Sequence, residues 1–304
     1  MVATHCRSWA LPYSLSSLVN QRRPPDEVVV VLKPCGDGSE GVVSGFAGAL
    51  PLRLIVQNSG GGVADAYELG YLNATGDIVL FMDDDAVAHE EWVLRYERLF
   101  GELPDAGGIG GIVYRAYLDG GRLVRTSERF REKRPTRGGP HRRPLPELEG
   151  YYGWVSTSGF MGERACDRGL CPSVLLSGAN MGFRTSAIRD LGLSALYRGS
   201  RRGFWFESFM AYWCVRRGFR VYEVMDEGVA PAVWHIEHGR SLTRERGFWG
   251  EFWLYYDAVV AFWRLRRMGA KVSLPRYLLA LAIGLRRRTL PRLLATLYGL
   301  LRRA

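Results

Sequence analysis

The chain has 304 residues, 47% of them apolar, which is enough to bury the core of one large α/β domain with an appendage. Its formal net charge of +10 indicates an anionic partner, either nucleic acid, lipid headgroups or a phosphorylated substrate. The longest apolar run, residues 278–285, is too short for a spanning helix, which needs roughly 18–20 residues. No signal peptide precedes the first strand, so a cytoplasmic, reducing compartment is expected.

The cysteines are odd in number and irregularly spaced: Cys6, Cys35, Cys166, Cys171 and Cys214. A disulfide framework or a zinc site normally uses regular, short-spaced pairs. Free thiols are therefore the favoured interpretation. A bridge between Cys166 and Cys171 across a short loop is the alternative.

Strands and helices alternate through the first part of the chain. Continuous β-branched or apolar runs predict buried strands at residues 28–32, 52–56, 78–82 and 109–114. Helical spacing predicts helices at residues 13–20, 63–72 and 90–100. This alternation predicts an α/β fold with a parallel, doubly wound sheet.

The amino-acid composition changes at residues 119–147, which are rich in Gly, Pro and Arg. This composition predicts a mobile basic loop. The loop lacks the interleaved aromatic residues of a nucleic-acid-binding arm, so we expect no nucleic acid. A lid over a phosphate or a lipid headgroup and a plain solvated loop both fit. Beyond it, helices are predicted at residues 187–191, 206–217 and 250–267, with a strand at residues 220–224.

Three adjacent carboxylates, Asp83, Asp84 and Asp85, directly follow the predicted strand at residues 78–82. Ligands of α/β sheets bind at the carboxyl ends of strands. Crowded carboxylates repel one another, and a cation such as Mg²⁺ or Mn²⁺ removes this repulsion. Asp83 and Asp85 would project to the same side. A metal site is favoured, and a solvated acidic turn or helix cap is the alternative.

Several stretches, in this order, resemble inverting glycosyltransferase family 2. They are residues 4–7 (THCR), 14–21 (SLSSLVNQ), 26–31 (DEVVVV), 73–85 (NATGDIVLFMDDD) and 177–184 (SGANMGFR). The resemblance runs from residue 1 to about residue 241. It implies a GT-A-type nucleotide-sugar-binding fold over residues 1–248, with a mostly parallel central sheet. Within it, residues 1–115 would form the nucleotide-binding half and residues 151–248 the acceptor half, followed by a helical tail at residues 249–304.

The resemblance also implies the site residues. Donor binding falls to Thr4, His5, Arg7, Asp37, Gly62, Asp83 and Asp84, and acceptor binding to Gly178, Ala179 and Asn180. Asp83, Asp85 and His235 would hold Mn²⁺ or Mg²⁺, with Asp85 the more direct ligand. His235 and His238, three residues apart, would face one cation if they shared a helical turn. The family often has an Asp that contacts the nucleobase after the second strand. This chain has the segment around Lys33 at that position, and Asp37 follows a few residues later. The resemblance therefore does not decide between UDP and GDP.

The resemblance also implies a general base, Glu207, because the family's base lies at a helix start that an Arg and a Gly follow, and Phe206-Glu207-Ser208 with Arg216 and Gly218 matches that stretch. Inverting transfer needs a carboxylate that takes the acceptor's proton. The aromatic surroundings of Glu207 would raise its pKa by desolvation. A helix-capping glutamate is the alternative. An ionised phosphate acceptor would hardly need a base.

The tail combines Leu-rich faces with arginine clusters, and no acidic residue follows Asp257. This composition is typical of helices that lie in a membrane interface. A hairpin that packs on the enzyme or on a dimer partner is the alternative. The sequence thus predicts sugar transfer to a polyprenyl phosphate or lipid-linked glycan at the inner face of the cell membrane. A sugar nucleotidyltransferase and a non-catalytic nucleotide- or sugar-binding protein are the alternatives.

Overall fold

The computed structural model describes residues 1–58, 60–130, 142–166, 169–200, 203–238, 247–284 and 290–302. Its strands are β1 (Val2–His5), β2 (Val28–Lys33), β3 (Leu52–Val56), β4 (Ile78–Asp83), β5 (Ala86–Ala88), β6 (Ala106–Gly110), β7 (Ile112–Asp119), β8 (Arg122–Arg129), β9 (Gly153–Val155), β10 (Met161–Glu163), β11 (Leu170–Pro172), β12 (Met181–Arg184), β13 (Arg220–Val224) and β14 (Ala232–Ile236). Its helices are α1 (Leu11–Val19), α2 (Ser39–Ser44), α3 (Val63–Asn73), α4 (Trp92–Glu102), α5 (Thr185–Ile188), α6 (Leu193–Leu196), α7 (Phe206–Arg216), α8 (Phe248–Arg267), α9 (Leu274–Gly284) and α10 (Leu290–Arg302).

Eight strands form a central, mostly parallel sheet in the order β11-β13-β6-β12-β4-β1-β2-β3. Strand β1 runs parallel to both of its neighbours, β2 and β4. Strand β12 is antiparallel to β4 and β6, between which it lies. Ala3 of β1 pairs with Asp83 of β4, so the loop after β1 lies beside the acidic triplet. The predicted α/β class is confirmed.

A smaller sheet, ordered β5-β14-β7-β8, stands beside the first. Strand β5 begins directly after the acidic triplet, and β14 runs antiparallel to it with His235 opposite Ala86. This register carries a histidine from late in the chain to the end of β4.

The core lies on both faces of the central sheet. Every residue of Val28–Leu32 is at most 2% exposed, as a strand covered on both faces requires. Val28 and Val30 pack with Leu11 and Leu15 of α1, whereas Val29 and Val31 pack with Ala66 of α3. The alternation of strand side chains therefore produces two apolar layers from one hydrophobic run.

The predicted mobile loop at residues 119–147 is wrong at both of its ends. Arg122–Arg129 forms strand β8, which pairs with β7 in an antiparallel hairpin. At the other end, Leu145 is fully buried. The charged residues of β8 suggested a loop, but an edge strand exposes side chains and carries charge readily. Residues 131–141, the middle of the predicted loop, lie outside the described residues.

The expectation of free thiols is wrong for four of the five cysteines. Disulfides join Cys6 to Cys35 and Cys166 to Cys171, with Cα–Cα separations of 5.7 Å and 5.8 Å. Both separations lie within the usual range for a disulfide. The first bridge was not visible in the sequence because its cysteines are 29 residues apart and meet only where the loops after β1 and β2 converge. Cys214 is free and buried.

The C-terminal helices pack on one another and on the rest of the fold. In α10, Ala295 is fully buried in a cluster with Phe252 and Tyr256 of α8. In α9, the Tyr277 ring stacks on Phe160, with centroids 5.4 Å apart. The tail is therefore part of the fold on one side. Across the described helices, none combines the length and the hydropathy that a bilayer crossing demands.

Candidate active site

The acidic triplet lies at the carboxyl end of β4 and in the turn that leads to β5. Asp83, Asp85 and His235 each offer one ligand atom, and these atoms all lie within 4.8 Å of one another. His235 Nε2 is 3.2 Å from Asp85 Oδ1 and 3.8 Å from Asp83 Oδ2. The three predicted metal ligands are thus brought together.

Asp85 is the centre of this cluster. His238 Nε2 lies 2.8 Å from Asp85 Oδ2, and Arg7 Nε lies 3.8 Å from the same oxygen. Arg7 also approaches Asp84, with 3.6 Å from Nε to Oδ1. The expectation that His235 and His238 share a helical turn is wrong, because His235 lies within strand β14 and His238 follows it. Both histidines nevertheless reach Asp85.

The three carboxylates differ in their electrostatics. Burial, followed by repulsion from Asp85, raises the pKa of Asp83 to about 7 and the pKa of Asp84 to about 8. Burial also disfavours ionisation of Asp85, but the hydrogen bond with His238 and the nearby His235 and Arg7 hold its pKa below the usual value. Asp85 is therefore the permanent anion, and its neighbours take up protons when no cation is present.

This donor set suits a hard divalent cation. Carboxylate oxygens suit Mg²⁺ and Mn²⁺, and an imidazole nitrogen is a common ligand of first-row transition metals. Burial and the charge of Asp85 raise the pKa of Asp83, which a bound cation would offset. His5, Cys6 and Cys35 form a second close group. Their sulfur atoms are joined in a disulfide, so they offer no thiolates.

The loops after β1 and β2 carry the other predicted donor-binding residues. Thr4 is buried, and a ring nitrogen of His5 lies 3.0 Å from the Lys33 carbonyl oxygen. The Asp37 carboxylate accepts hydrogen bonds from the Ser8 amide and from the Ser39 hydroxyl, at 2.8 Å and 2.9 Å. These bonds, the Ser8 amide first, lower the pKa of Asp37 to about 2. Asp37 therefore ties the two loops together.

At the start of α3, the Gly62 amide donates to the Asp65 carboxylate at 2.7 Å. This bond satisfies one of the amides left open at a helix N-terminus. Gly62 is thus the N-cap residue of α3. Its predicted contact with the donor stays a prediction.

Glu207 lies in the first turn of α7, beside the predicted acceptor turn. A Cβ atom added at Gly178 would come within 2.9 Å of Glu207 Oε1, so only glycine fits there without displacing the carboxylate. Trp205, two residues before Glu207, has a left-handed backbone with φ 65°. Such strained positions in non-glycine residues often occur at functional sites.

The Asn180 side chain serves the fold. It is fully buried and uses its whole hydrogen-bonding capacity on four partners. Its amide nitrogen donates to the carbonyls of Ile112 and Pro231, and its oxygen accepts from Trp92 and Tyr96. The Asn180 side chain is thus occupied within the fold, and its predicted contact with the acceptor stays a prediction. The same is true of the backbone of Gly178 and Ala179.

The family model for glycosyl transferase family 2 matches residues 1–157, about half of the chain. This chain belongs to glycosyltransferase family 2. A comparison with curated protein sequences finds no match. The protein is accordingly a glycosyltransferase, as the ordered motifs predicted.

Solved structures show the same fold at low sequence identity. A TarS fragment of S. aureus, residues 1–349, solved with UDP-GlcNAc, matches with a TM-score of 0.53 and 16% identity, over 94% of this chain and 70% of the fragment. The mannosyltransferase PcManGT of Pyrobaculum calidifontis, solved with GDP-Man and Mn²⁺, gives 0.54 and 18%, over 98% and 78%. GalNAc-T7, solved with UDP, GalNAc and Mn²⁺, gives 0.54 and 13%, over 87% and 49%. The predicted GT-A fold is confirmed.

Two aromatic neighbours of the cluster of Asp83, Asp85 and His235 were not predicted from the sequence. Tyr67 of α3 is buried against Phe81 of β4 and Phe206 of α7. Phe130, directly after β8, has its ring centroid 4.6 Å from that of His235. The hairpin of β7 and β8 therefore borders the cluster of Asp83, Asp85 and His235. Aromatic residues at helical or strand spacing carry no signal that separates these two from ordinary core residues.

Proposed function

We propose that this enzyme inverts the anomeric centre as it transfers a sugar from a nucleotide-diphospho-sugar, UDP- or GDP-linked, to a membrane-associated acceptor. A polyprenyl phosphate or a lipid-linked glycan fits that acceptor. The observation that carries the proposal is the cluster of Asp83, Asp85 and His235 at the carboxyl end of β4. The UDP-GlcNAc and GDP-Man bound by TarS and PcManGT support a nucleotide-sugar donor.

Asp83, Asp85 and His235 would hold Mn²⁺ or Mg²⁺. A bound divalent cation supplies positive charge that stabilises a leaving diphosphate. Arg7 stands beside Asp84 and Asp85 and would add a fixed positive charge on the same side. The Mn²⁺ in PcManGT and GalNAc-T7 supports a metal-dependent reaction.

Glu207 is the proposed general base. In a single displacement, the acceptor oxygen forms its bond to the anomeric carbon as the bond to the diphosphate breaks, and Glu207 takes the acceptor's proton. Its position against the Gly178 turn supports this role, because that turn is the predicted acceptor side. With an ionised phosphate acceptor, Glu207 would orient the acceptor.

The proposed membrane contact is a face formed by the start of α8 and the outer sides of α9 and α10. Large apolar side chains stand exposed there: Phe248, Trp249, Leu278, Leu279, Ile283, Leu290, Leu293, Leu294, Leu297, Tyr298 and Leu301. Exposed Arg276 lies among them, and no acidic residue follows Asp257. Glu251, in the first turn of α8, is paired with Arg292. An apolar face with basic residues at its border complements an anionic bilayer. We therefore propose a cytoplasmic enzyme, peripheral to the inner face of the cell membrane, whose two disulfides would have to resist cytoplasmic reductants.

A panel of UDP- and GDP-sugars tests the function, with thermal stabilisation and nucleotide release measured with and without Mn²⁺. We expect nucleotides with one of the two nucleobases, uracil or guanine, to stabilise the protein only when Mn²⁺ is present. The matching nucleotide-sugar should then release its nucleoside diphosphate. Stabilisation without release would favour a binding protein. Pyrophosphate formation from a nucleoside triphosphate and a sugar phosphate would favour a nucleotidyltransferase.

A further inference from the structure

Tyr67 of α3 lies between the strand that carries the metal-ligand cluster and the helix that carries Glu207. Its side chain is buried, with the whole residue 3% exposed. The ring stacks on Phe81 with centroids 5.1 Å apart and an interplanar angle of 6°. Its other contact is edge-on with Phe206, with centroids 4.4 Å apart. The ring thus fills the space between β4 and α7.

The two ring partners are close in sequence to the two carboxylates of the site. Phe81 comes two residues before Asp83 on the same strand, so both side chains lie on one face of β4. Phe206 immediately precedes Glu207 at the start of α7. A spacer between Phe81 and Phe206 therefore sets the distance between Asp83 and Glu207.

The Tyr67 hydroxyl reaches the same groups. It donates to the Gly178 carbonyl oxygen at 3.3 Å, in the turn that packs against Glu207. It also interacts with the Asp83 carboxylate. The hydroxyl thus contacts both the turn beside Glu207 and the end of the strand that carries Asp83.

We propose that Tyr67 is a positioning residue whose hydroxyl holds the metal-ligand carboxylate Asp83 and the base Glu207 at the separation that sugar transfer needs. This inference rests on the proposed function of both carboxylates. Donor and acceptor must meet in a narrow range of geometry, and a displacement of about 1 Å can cost about 10²-fold in rate. Tyr67 touches neither reactant in this scheme and acts through Asp83, Gly178 and Glu207.

The test compares Tyr67→Phe with Tyr71→Phe. Tyr67→Phe keeps the ring and removes the hydroxyl. Tyr71 is a matched control, because it is fully buried one turn along the same helix and its hydroxyl bonds to Glu68 at 3.2 Å, away from the site. The assay is Mn²⁺-dependent release of UDP or GDP from the active nucleotide-sugar, with water as the acceptor. Melting temperature is recorded for each variant.

We expect Tyr67→Phe to lower kcat at least about tenfold, the effect of losing a hydrogen bond to a charged group. Donor KM should change less than about threefold, since the diphosphate contacts remain. Tyr71→Phe should keep the wild-type kcat whatever its melting temperature. If Tyr67→Phe keeps kcat within about twofold of a wild type that is active, the positioning role is overturned and the proposed function stands. A wild type that releases no nucleotide from any donor overturns both.

Discussion

Asp85 and His238 are 153 residues apart in the chain, yet His238 Nε2 lies 2.8 Å from Asp85 Oδ2. His235 and Arg7 approach the same carboxylate at 3.2 Å and 3.8 Å. Asp85 is thus compensated by three cationic or proton-donating groups, whereas the pKa of Asp84 is raised to about 8. The structure therefore distinguishes a compensated carboxylate, Asp85, from Asp84, whose charge is not compensated.

We expect Asp85→Ala to destabilise the protein and Asp84→Asn to leave stability unchanged or raise it at pH 7.5. Loss of Asp85 leaves His235, His238 and Arg7 without their shared anion, at a cost of about 1–3 kcal/mol in unfolding free energy. Chemical denaturation with a chelator present measures both variants. An Asp85→Ala protein as stable as the wild type would contradict the role of Asp85 as the compensated centre.

The same comparison predicts a pH dependence. A carboxyl group whose pKa is raised on folding binds more protons in the folded state, so its contribution to stability falls as pH rises from about 4 to about 8. The stability gained by Asp84→Asn over wild type should therefore grow between pH 5 and pH 8. Unfolding free energies of both proteins at four pH values test this. A constant or shrinking difference would mean that Asp84 is not disfavoured as an anion.

Glu207→Gln should lower turnover by about 10²–10⁴-fold, the usual contribution of a general base. Donor affinity should change little, because Gln keeps the shape of the side chain against Gly178. Steady-state kinetics with a hydroxyl acceptor, and calorimetry with the nucleoside diphosphate, measure the two quantities. Near-normal turnover would indicate a phosphate acceptor or place the base elsewhere.

Membrane binding must be tested without deleting the tail, because α10 packs on α8 and truncation would expose that core. The double variant Leu293→Glu/Leu297→Glu instead changes only exposed positions, 45% and 48% accessible. We expect it to reduce binding to vesicles of anionic lipid while preserving the melting temperature. Wild-type binding should also weaken at high salt, because surface charges are screened.

The matched control is Tyr117→Glu, on strand β7, whose side chain is 49% exposed. It adds a negative charge away from the helices and should leave vesicle binding close to wild type. If the helix variant binds vesicles as well as wild type does, the exposed face has another partner.

Cysteine labelling tests the disulfides. In non-reducing conditions, we expect one alkylated thiol after denaturation, Cys214, and none in the folded protein. Burial raises the pKa of Cys214 well above its usual value, so the thiolate is scarce as well as inaccessible. Mass spectrometry of peptides should recover the Cys6–Cys35 and Cys166–Cys171 links. Five alkylated thiols in denatured protein would restore the expectation drawn from the sequence.

What the sequence predicted well depends on local patterns. The run Val28–Lys33 needs cover on both faces, so it indicates a central strand wherever it occurs. The acidic triplet after another such strand indicates a candidate cation site at the carboxyl end of β4. Strand β8 was missed because pairing with β7 supports its charged residues, and pairing is a tertiary property. The Asp85–His238 contact and the Tyr67 packing likewise depend on segments that meet only after folding.

The proposed function depends on a divalent cation that Asp83, Asp85 and His235 would hold for a nucleotide-sugar donor. Calorimetric titration with UDP and GDP, with and without Mn²⁺, tests it most directly in wild type and in Asp83→Asn. We predict that one nucleotide binds wild type in a metal-dependent way, and that Asp83→Asn loses this binding while it keeps its melting temperature. Equal affinity without Mn²⁺, or unchanged affinity in Asp83→Asn, would mean that these residues do not hold a metal for the donor.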